Sequence, residues 1–212
     1  MLIEKSLKEY ILEASSGSPT PGGGSVSALV ASLGAALTQM VGNLTFDKKT
    51  YDELSKEIKD KLENNFNLLE EKMLILNDII DEDSKAFDGV MEAFKMPKDT
   101  EEEKKARSNK IQEGYKKALE VPLRCSEECF KVLELQEVFA FYGNKNAITD
   151  VGVGALLAYA GMEGALLNVK INLLSIKDEK YKREIEERIN VLLEEGHNLK
   201  EKIMKTVYIR LS

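Results

Sequence analysis

The sequence has very few of the side chains that most enzymes use for nucleophilic or metal chemistry: one histidine and two cysteines in 212 residues. His197 lies in a charged stretch near the C-terminus, so we interpret it as a surface residue. A lone histidine disfavours a Ser-His-Asp hydrolase and a histidine-ligated metalloenzyme. Any chemistry must therefore use carboxylates, amides, hydroxyls or backbone groups.

The two cysteines, Cys125 and Cys129, are four residues apart in a helical pattern. Two thiols and one distant histidine cannot complete a four-ligand zinc site, so we expect no metal. A reduced, cytoplasmic chain is the simpler interpretation. No charged-then-apolar leader opens the sequence, so we expect no secretion signal.

The charge balance disfavours a nucleic-acid partner. The formal net charge is −7 and the isoelectric point is about 5.1, whereas phosphate binding requires a concentrated basic face. Apolar residues make up 43% of the chain and charged residues 32%, which favours a folded chain with a well-solvated surface. The length fits one domain over residues 1–212.

Helical periodicity dominates the chain, and no run alternates as a β-strand does. Thr100 followed by Glu103 forms a capping-box pattern. We predict an all-α helical bundle with long amphipathic helices. Pro122 should break or kink the helix that begins at residue 100, and a loop at 142–146 should precede the next helix. The predicted helices cover residues 3–14, 25–44, 51–94, 100–121, 122–141, 147–174 and 178–209.

Two of these helices, at 25–42 and 151–169, are apolar on almost every side and rich in Gly, Ala and Ser. Each is nearly long enough to span a membrane. Glu163 interrupts one, Gln39 lies in the other, and neither has flanking aromatic belts, so we predict buried helices and no membrane span. Burying them on all sides is easier with a second subunit, which predicts a homodimer.

Asp83 occupies an apolar position in the predicted third helix. It follows Ile80 by three residues and precedes Phe87 by four, which places the three on one face. We predict a partly buried general acid/base whose pKa is raised by burial and by Asp81 or Glu82. The alternative is an exposed, frayed stretch, since both neighbours are acidic.

A second polar pattern runs down one face of the helix at 151–169. Asp150 begins it, small residues follow, and Asn168 and Asn172 end it one turn apart. Such a stripe can line a cavity for a flat heterocycle. Hydrogen bonds from the two amides to neighbouring helices explain the pattern equally well.

A loop with three consecutive glycines, Gly22, Gly23 and Gly24, precedes the helix that begins near Ser25. Free N–H groups at a helix N-terminus can receive an anion. The loop matches neither a dinucleotide fingerprint nor a phosphate loop. Tight packing explains it as well as binding does.

Three segments together carry a resemblance to a known family. They are PTPGGGSVSALVASLGAAL at 19–37, DEDSKAFDGVMEAFKMPK at 81–98, and GNKNAITDVGVGALLAYAGMEGALLNVKINL at 143–173. In order and spacing they resemble the formimidoyltetrahydrofolate cyclodeaminase / methenyltetrahydrofolate cyclohydrolase family of folate enzymes. The pattern GNxNAxTD followed by GAxxNVxINL is specific, and the resemblance spans essentially the whole chain.

The resemblance implies an all-helical homodimer with a folate-binding pocket, no metal and no cofactor beyond the folate substrate. It implies that Asp83 is the catalytic residue. The positions expected to bind substrate are Gly22, Gly23, Gly24, Ser25, Asn144, Asp150, Asn168 and Asn172, and, more loosely, Lys170 and Lys145 for the glutamate tail of folate.

The resemblance leaves two activities open. A cyclodeaminase converts 5-formimidoyltetrahydrofolate to 5,10-methenyltetrahydrofolate and ammonia, and a cyclohydrolase hydrolyses the methenyl compound to 10-formyltetrahydrofolate. One carboxyl can serve as acid and base in both. A competing class, a non-enzymatic helical scaffold or membrane-associated bundle, explains the apolar helices but not the inward-facing Asp and Asn residues.

Overall fold

The computed structural model describes all 212 residues and contains eight α-helices and no β-strand, which confirms the all-α prediction. A 3₁₀ turn at Lys145–Ala147 precedes the seventh helix. The helices are α1 (Leu7–Ala14), α2 (Gly23–Phe46), α3 (Lys49–Asp52), α4 (Lys56–Asp83), α5 (Asp88–Phe94), α6 (Glu101–Tyr142), α7 (Ile148–Leu173) and α8 (Glu179–Leu211).

Side-chain caps set the starts of several helices. The predicted capping box is confirmed at α6, where Thr100 Oγ1 accepts the Glu103 N–H at 3.2 Å and the Glu103 carboxylate accepts the Thr100 N–H at 3.0 Å. A second capping box, between Ser6 and Glu9, begins α1. The first helix therefore begins at Leu7, one turn later than predicted, because Ser6 satisfies the free N–H groups there.

The prediction of one long helix over residues 51–94 is wrong. Ser55 caps a new helix by accepting the Ile58 N–H, and α4 ends at Asp83, where turn hydrogen bonds replace the helical ones. Ile80, Asp83 and Phe87 therefore do not share one buried helix face as predicted: Ile80 is fully buried, but Phe87 is 41% exposed. Asp83 is thus the last residue of a helix and does not lie in the middle of one.

Of the break or kink predicted at Pro122, the break is wrong, since α6 runs without interruption from Glu101 to Tyr142. Proline has no N–H, so the carbonyl of Ala118, four residues earlier, loses its helical donor. The Asn172 side chain on α7 supplies a replacement, with Nδ2 donating to Ala118 O at 3.3 Å. A partner helix therefore satisfies the group that the proline leaves free.

Helices α2 and α7 pack antiparallel at the centre of the molecule, with their backbones in close contact. A Cβ placed on Gly34 would lie 2.6 Å from the Gly154 carbonyl oxygen, and one on Gly161 would lie 2.6 Å from the Ser27 carbonyl oxygen. Only glycine allows this approach. The small residues predicted to permit close helix packing do so here.

Three long helices, α4, α6 and α8, cover one side of the α2–α7 pair. α4 packs against α2, α8 packs against α7, and α6 contacts both members of the pair.

By length and composition, two segments could cross a membrane, Gly23–Phe46 and Lys145–Leu173. In the most apolar 18-residue stretch of each segment, 56% and 50% of the residues, respectively, are buried inside the protein. Their exposed apolar side chains lie on the side of the pair that no other helix covers, including Val26, Leu33, Val153 and Leu167.

The contact between Asn172 and α6 predicts coupling with Pro122. Asn172→Leu should lower the free energy of unfolding by about 1–3 kcal/mol, because the buried Ala118 carbonyl is left without a donor. In a Pro122→Ala background the restored backbone N–H should make the same replacement much less costly. Urea denaturation of the four proteins measures this coupling. An equal cost in both backgrounds would contradict the compensation.

Candidate functional site

The N-terminus of α2 is where the predicted loop, the predicted carboxylate and one predicted amide meet. The first N–H groups of a helix have no partner within it. At α2 the Ser25 N–H donates to Asp83 Oδ2 at 2.9 Å, while the Gly23 and Gly24 N–H groups have no acceptor in the chain. Two donors with the positive end of the helix dipole behind them therefore remain without an acceptor, one on the exposed Gly23 and one on the buried Gly24.

Gly24 makes this arrangement possible. A Cβ placed on Gly24 would overlap the carboxyl group of Asp83. Any other residue at this position would push Asp83 away from the helix terminus, so packing requires the third glycine of the loop. Tight packing, one of the two explanations offered for the triglycine loop, is thus confirmed at Gly24, and binding of a ligand by the loop stays a prediction.

Asp83 is partly buried, and burial raises the pKa of its carboxyl group, as predicted. The Ser25 N–H opposes this shift, because it stabilises the charged form. The expected contribution of Asp81 and Glu82 to the pKa is not found. Asp81 instead accepts the Leu2 N–H, and Glu82 pairs with Arg124. The Asp83 Oδ1 atom accepts no hydrogen bond from the chain.

A buried hydroxyl pair fixes Asp83 in place. Ser25 Oγ donates to the Ile80 carbonyl at 2.8 Å. The Tyr10 hydroxyl lies 2.9 Å from Ser25 Oγ and donates to it, because the Ser25 hydroxyl proton is already donated to Ile80. These bonds join the first turn of α2 to the last turn of α4. Sequence reasoning missed Tyr10, because an aromatic residue in a short amphipathic helix gives no sign of its hydrogen-bond partner.

Asn168 lies against the same helix terminus. Its Nδ2 atom is 3.1 Å from the Cβ position of Gly23 and donates to the Gly164 carbonyl at 2.9 Å. The side chain is half-buried, and its Oδ1 accepts no hydrogen bond from the chain. The α2 terminus therefore has Asp83 beside Gly24 and Asn168 beside Gly23.

Two other predicted residues of α7 lie elsewhere. Asn172 donates to Ala118 on α6, so its amide is used to stabilise the fold. Lys170 is exposed and lines a cleft of about 420 Å³ between α7 and α8. Two residues along a helix correspond to about 200°, which places Lys170 on the side of α7 opposite Asn168.

The last group of predicted residues lies at the far end of the α2–α7 pair. Asn144 donates to the Leu44 carbonyl through Nδ2 and to Thr45 Oγ1 through its backbone N–H, both at 2.9 Å. Lys145 is exposed, and Asp150 is half-buried in the first turn of α7. Because α2 has 24 residues and is roughly 36 Å long, this group is remote from Asp83 within one chain.

The site thus combines one carboxyl group with a raised pKa and a free oxygen, two backbone N–H donors and an amide. Such a set can move a proton and hold a polar heterocycle. His197 is exposed and contacts Tyr159, and the cysteines are buried and free. No three His, Cys, Asp or Glu side chains are grouped so that they could hold a metal ion.

Comparison with known proteins gives a consistent result. Residues 6–191 match the family described as Formiminotransferase-cyclodeaminase. The chain is 41% identical over 203 residues to Methenyltetrahydrofolate cyclohydrolase of Methylorubrum extorquens, with 96% of each covered. It is 36% identical over 195 residues to Formimidoyltransferase-cyclodeaminase of Mus musculus, of which it spans only 35%.

A solved structure shares the whole fold. The crystal structure of formiminotetrahydrofolate cyclodeaminase from Thermotoga maritima superimposes with a TM-score of 0.86 at 28% identity, and 100% of both chains is covered. Its helical architecture and the family match over most of the sequence lead to one conclusion. The chain belongs to the formiminotransferase-cyclodeaminase family.

Proposed function

We propose that this chain is a folate enzyme that converts 5-formimidoyltetrahydrofolate to 5,10-methenyltetrahydrofolate and ammonia. The observation that carries the proposal is Asp83, a partly buried carboxyl group with a raised pKa and a free oxygen at the α2 terminus. Family membership supports the substrate class, and the similarity to the formiminotetrahydrofolate cyclodeaminase of Thermotoga maritima supports the reaction.

The reaction needs one group that first accepts and then returns a proton. The formimidoyl group is protonated on its nitrogen, and N10 of the substrate attacks its carbon. The new C–N10 bond gives a tetrahedral aminal. Asp83 takes the N10 proton and transfers it to the departing nitrogen. The bond between the carbon and this protonated nitrogen then breaks, ammonia leaves, and the methenyl cation remains. A carboxyl group whose pKa is raised toward the working pH suits both steps.

Electrostatics favours the same residue. The protonated formimidoyl group and the methenyl product are both cations, so an ionised Asp83 beside the reacting carbon stabilises them. The Gly23 and Gly24 N–H groups and the Asn168 amide can hold polar edges of the pterin ring. In this arrangement the carboxylate faces the developing charge, and the neutral donors orient the substrate.

A second activity uses the same groups. In methenyltetrahydrofolate cyclohydrolase chemistry, water attacks the methenyl carbon, and Asp83 accepts one water proton and returns it to N5. The C–N5 bond then breaks as the new hydroxyl group becomes the formyl carbonyl and releases its proton to solvent, which gives 10-formyltetrahydrofolate. The full-length relative from Methylorubrum extorquens carries this name, which favours cyclohydrolase as the second candidate.

A spectrophotometric assay of methenyltetrahydrofolate, with ammonia measured in parallel, tests the proposal. Formation of the methenyl compound with one ammonia per turnover is the expected result. Hydrolysis of added methenyltetrahydrofolate without deamination would select the second candidate. If neither occurs and reduced folates do not raise the melting temperature, the competing class, a scaffold or membrane-associated bundle, is favoured.

Asp83→Asn should lower turnover about 10²- to 10⁴-fold, because the amide can still accept the Ser25 N–H but cannot transfer a proton. Folate binding should persist. The melting temperature at neutral pH should not fall, since the replacement removes a charge that burial disfavours.

Glu82→Gln is the matched control, because this neighbouring carboxylate is exposed and pairs with Arg124 at the surface. It should keep wild-type turnover. Near-wild-type turnover by Asp83→Asn would move the proton-transfer role to another residue, with Asp150 the next candidate. A variant that fails to fold would make Asp83 a structural residue.

We also propose that the chain is a homodimer that pairs through the uncovered side of α2 and α7. Val26, Leu33, Met40 and Leu44 form an apolar stripe on α2, each at least 36% exposed. Val153, Leu156, Leu167 and Ile171 form a second stripe on α7, each at least 47% exposed. Because the helices are antiparallel neighbours, the two stripes form one apolar face, which favours burial against a second copy.

An antiparallel pairing of α2 with the α2 of a second copy would also unite the two groups of predicted site residues. It would bring the Asn144 and Asp150 end of one chain toward the Asp83 end of the other. A pocket built by both chains would then contain every predicted position except Lys170 and Asn172.

Cross-linking tests this pairing. Val26→Cys combined with Leu44→Cys should give a covalent dimer with a short bismaleimide, and neither single variant should do so. The two positions are 18 residues apart on one helix, roughly 27 Å, so the link cannot form within a chain. A monomeric mass in solution, or equal cross-linking by a single variant, would contradict the antiparallel dimer.

We infer further that the reaction needs no metal and that the protein is cytoplasmic. The absence of any group of three metal-ligating side chains supports the first inference. Two free, buried cysteines are consistent with a reducing compartment and support the second.

A further inference from the structure

Helix α1 buries a single side chain, that of Tyr10. The other large apolar residues of the helix are more than half exposed: Leu7, Ile11 and Leu12. The residues before α1 are attached to the end of α4, where the Asp81 carboxylate accepts the Leu2 N–H at 2.5 Å. A short helix with one buried side chain adds little to the core. The contacts of Tyr10 are therefore the main structural consequence of α1.

The Tyr10 hydroxyl reaches the junction of α2 and α4. Tyr10 is only 6% exposed, and its hydroxyl donates to Ser25 Oγ at 2.9 Å. Burial raises the pKa of the Tyr10 hydroxyl, so this group stays protonated and remains a donor. Ser25 is fully buried and donates in turn to the Ile80 carbonyl at 2.8 Å. The two hydroxyls therefore form a chain of donors that runs from α1 through α2 to α4.

Ser25 holds the last turn of α4 in two ways. Ile80 is one of the last four residues of α4, whose carbonyls have no donor within the helix, and the Ser25 hydroxyl supplies one. The Ser25 N–H donates to Asp83 Oδ2 at 2.9 Å. One residue of α2 thus fixes both the backbone that carries Asp83 and the Asp83 carboxyl group.

A serine within a helix has an alternative acceptor for its hydroxyl, the carbonyl four residues earlier. Three other residues of α2 use that acceptor, at 2.6 to 3.0 Å: Ser27, Thr38 and Thr45. The Ser25 hydroxyl donates across to α4 instead. The bond from Tyr10 favours this orientation, because it fixes the Ser25 oxygen in place and leaves the serine proton for Ile80.

We propose that Tyr10 is a positioning residue for the Asp83 carboxyl group, which it controls through the Ser25 hydroxyl. This inference rests on the proposed function. Both hydroxyls are buried and paired within the chain, so neither is available to a substrate. Ser25, which the resemblance led us to expect as a substrate-binding residue, has its side chain assigned to holding Asp83 in place.

Tyr10→Phe tests this role, because it removes one hydroxyl group and keeps the ring. With the Ser25 hydroxyl free to turn back along α2, the Ser25 N–H should hold Asp83 less firmly. We expect kcat to fall about 5- to 50-fold with KM within about 2-fold of wild type, since a misplacement of about 1 Å can cost about 100-fold. The acid-side midpoint of kcat/KM should move to higher pH, because a weaker Ser25 N–H bond stabilises the Asp83 carboxylate less.

Two further variants separate this role from a general loss of stability. Tyr51→Phe is the matched control, since the Tyr51 hydroxyl donates to Glu63 at the surface at 2.6 Å. It should keep the wild-type kcat and midpoint. Ser25→Ala breaks the same chain of donors from the other side and should shift the midpoint in the same direction. Tyr10→Phe should then have little further effect in the Ser25→Ala background.

An unchanged kcat or an unshifted midpoint in Tyr10→Phe would overturn the positioning role. If that variant does not fold, the same result in Ser25→Ala would overturn it. Fully additive effects of the two replacements would show that Tyr10 does not act through Ser25. If wild type acts on no reduced folate, the proposed function fails. A ¹³C NMR titration of the Asp83 carboxyl in wild type and Tyr10→Phe would still test the positioning, and equal midpoints would contradict it.

Discussion

The close contact between the backbones of α2 and α7 determines the position of every other part of the site. Glycines at the crossing, Gly34, Gly154 and Gly161, let the two helices approach to a distance that a side chain would prevent. This contact fixes the antiparallel register, which brings Asn168 against Gly23. It also leaves one side of the pair uncovered and apolar, and α4 can then reach the α2 terminus from the other side.

At that terminus, stability and reactivity oppose each other. Burying the Asp83 carboxyl disfavours its charged form, and one hydrogen bond from Ser25 offsets only part of this effect. The folded chain binds the Asp83 proton more tightly than an unfolded chain does. This carboxyl therefore favours folding at low pH, and that contribution is lost as the pH rises through its folded pKa. The proton-transfer role proposed for Asp83 would thus come at the expense of some stability.

Local patterns in the sequence predicted local structure well. The capping box at Thr100 is visible within a few residues, because it depends on helical spacing. The partial burial of Asp83 was predicted from a helical face shared with Phe87, but that helix ends at Asp83, and the observed packing of its carboxyl against Gly24 of α2 is a long-range contact. The continuity of α6 through Pro122 was not predictable, since the compensating amide of Asn172 comes from 50 residues further along the chain. The separation of Asn144 from Asp83 was hidden for the same reason, because it depends on how α2 and α7 pair.

The proposed catalysis depends on Asp83 being held half-buried with a raised pKa, so that it can both accept and return a proton. A ¹³C NMR titration of the Asp83 side-chain carboxyl, identified by its loss in Asp83→Asn, measures this property directly. We predict a midpoint above the ordinary aspartate value of about 3.9, with kcat/KM falling at the same pH on the acid side. A midpoint at or below that value would contradict the account.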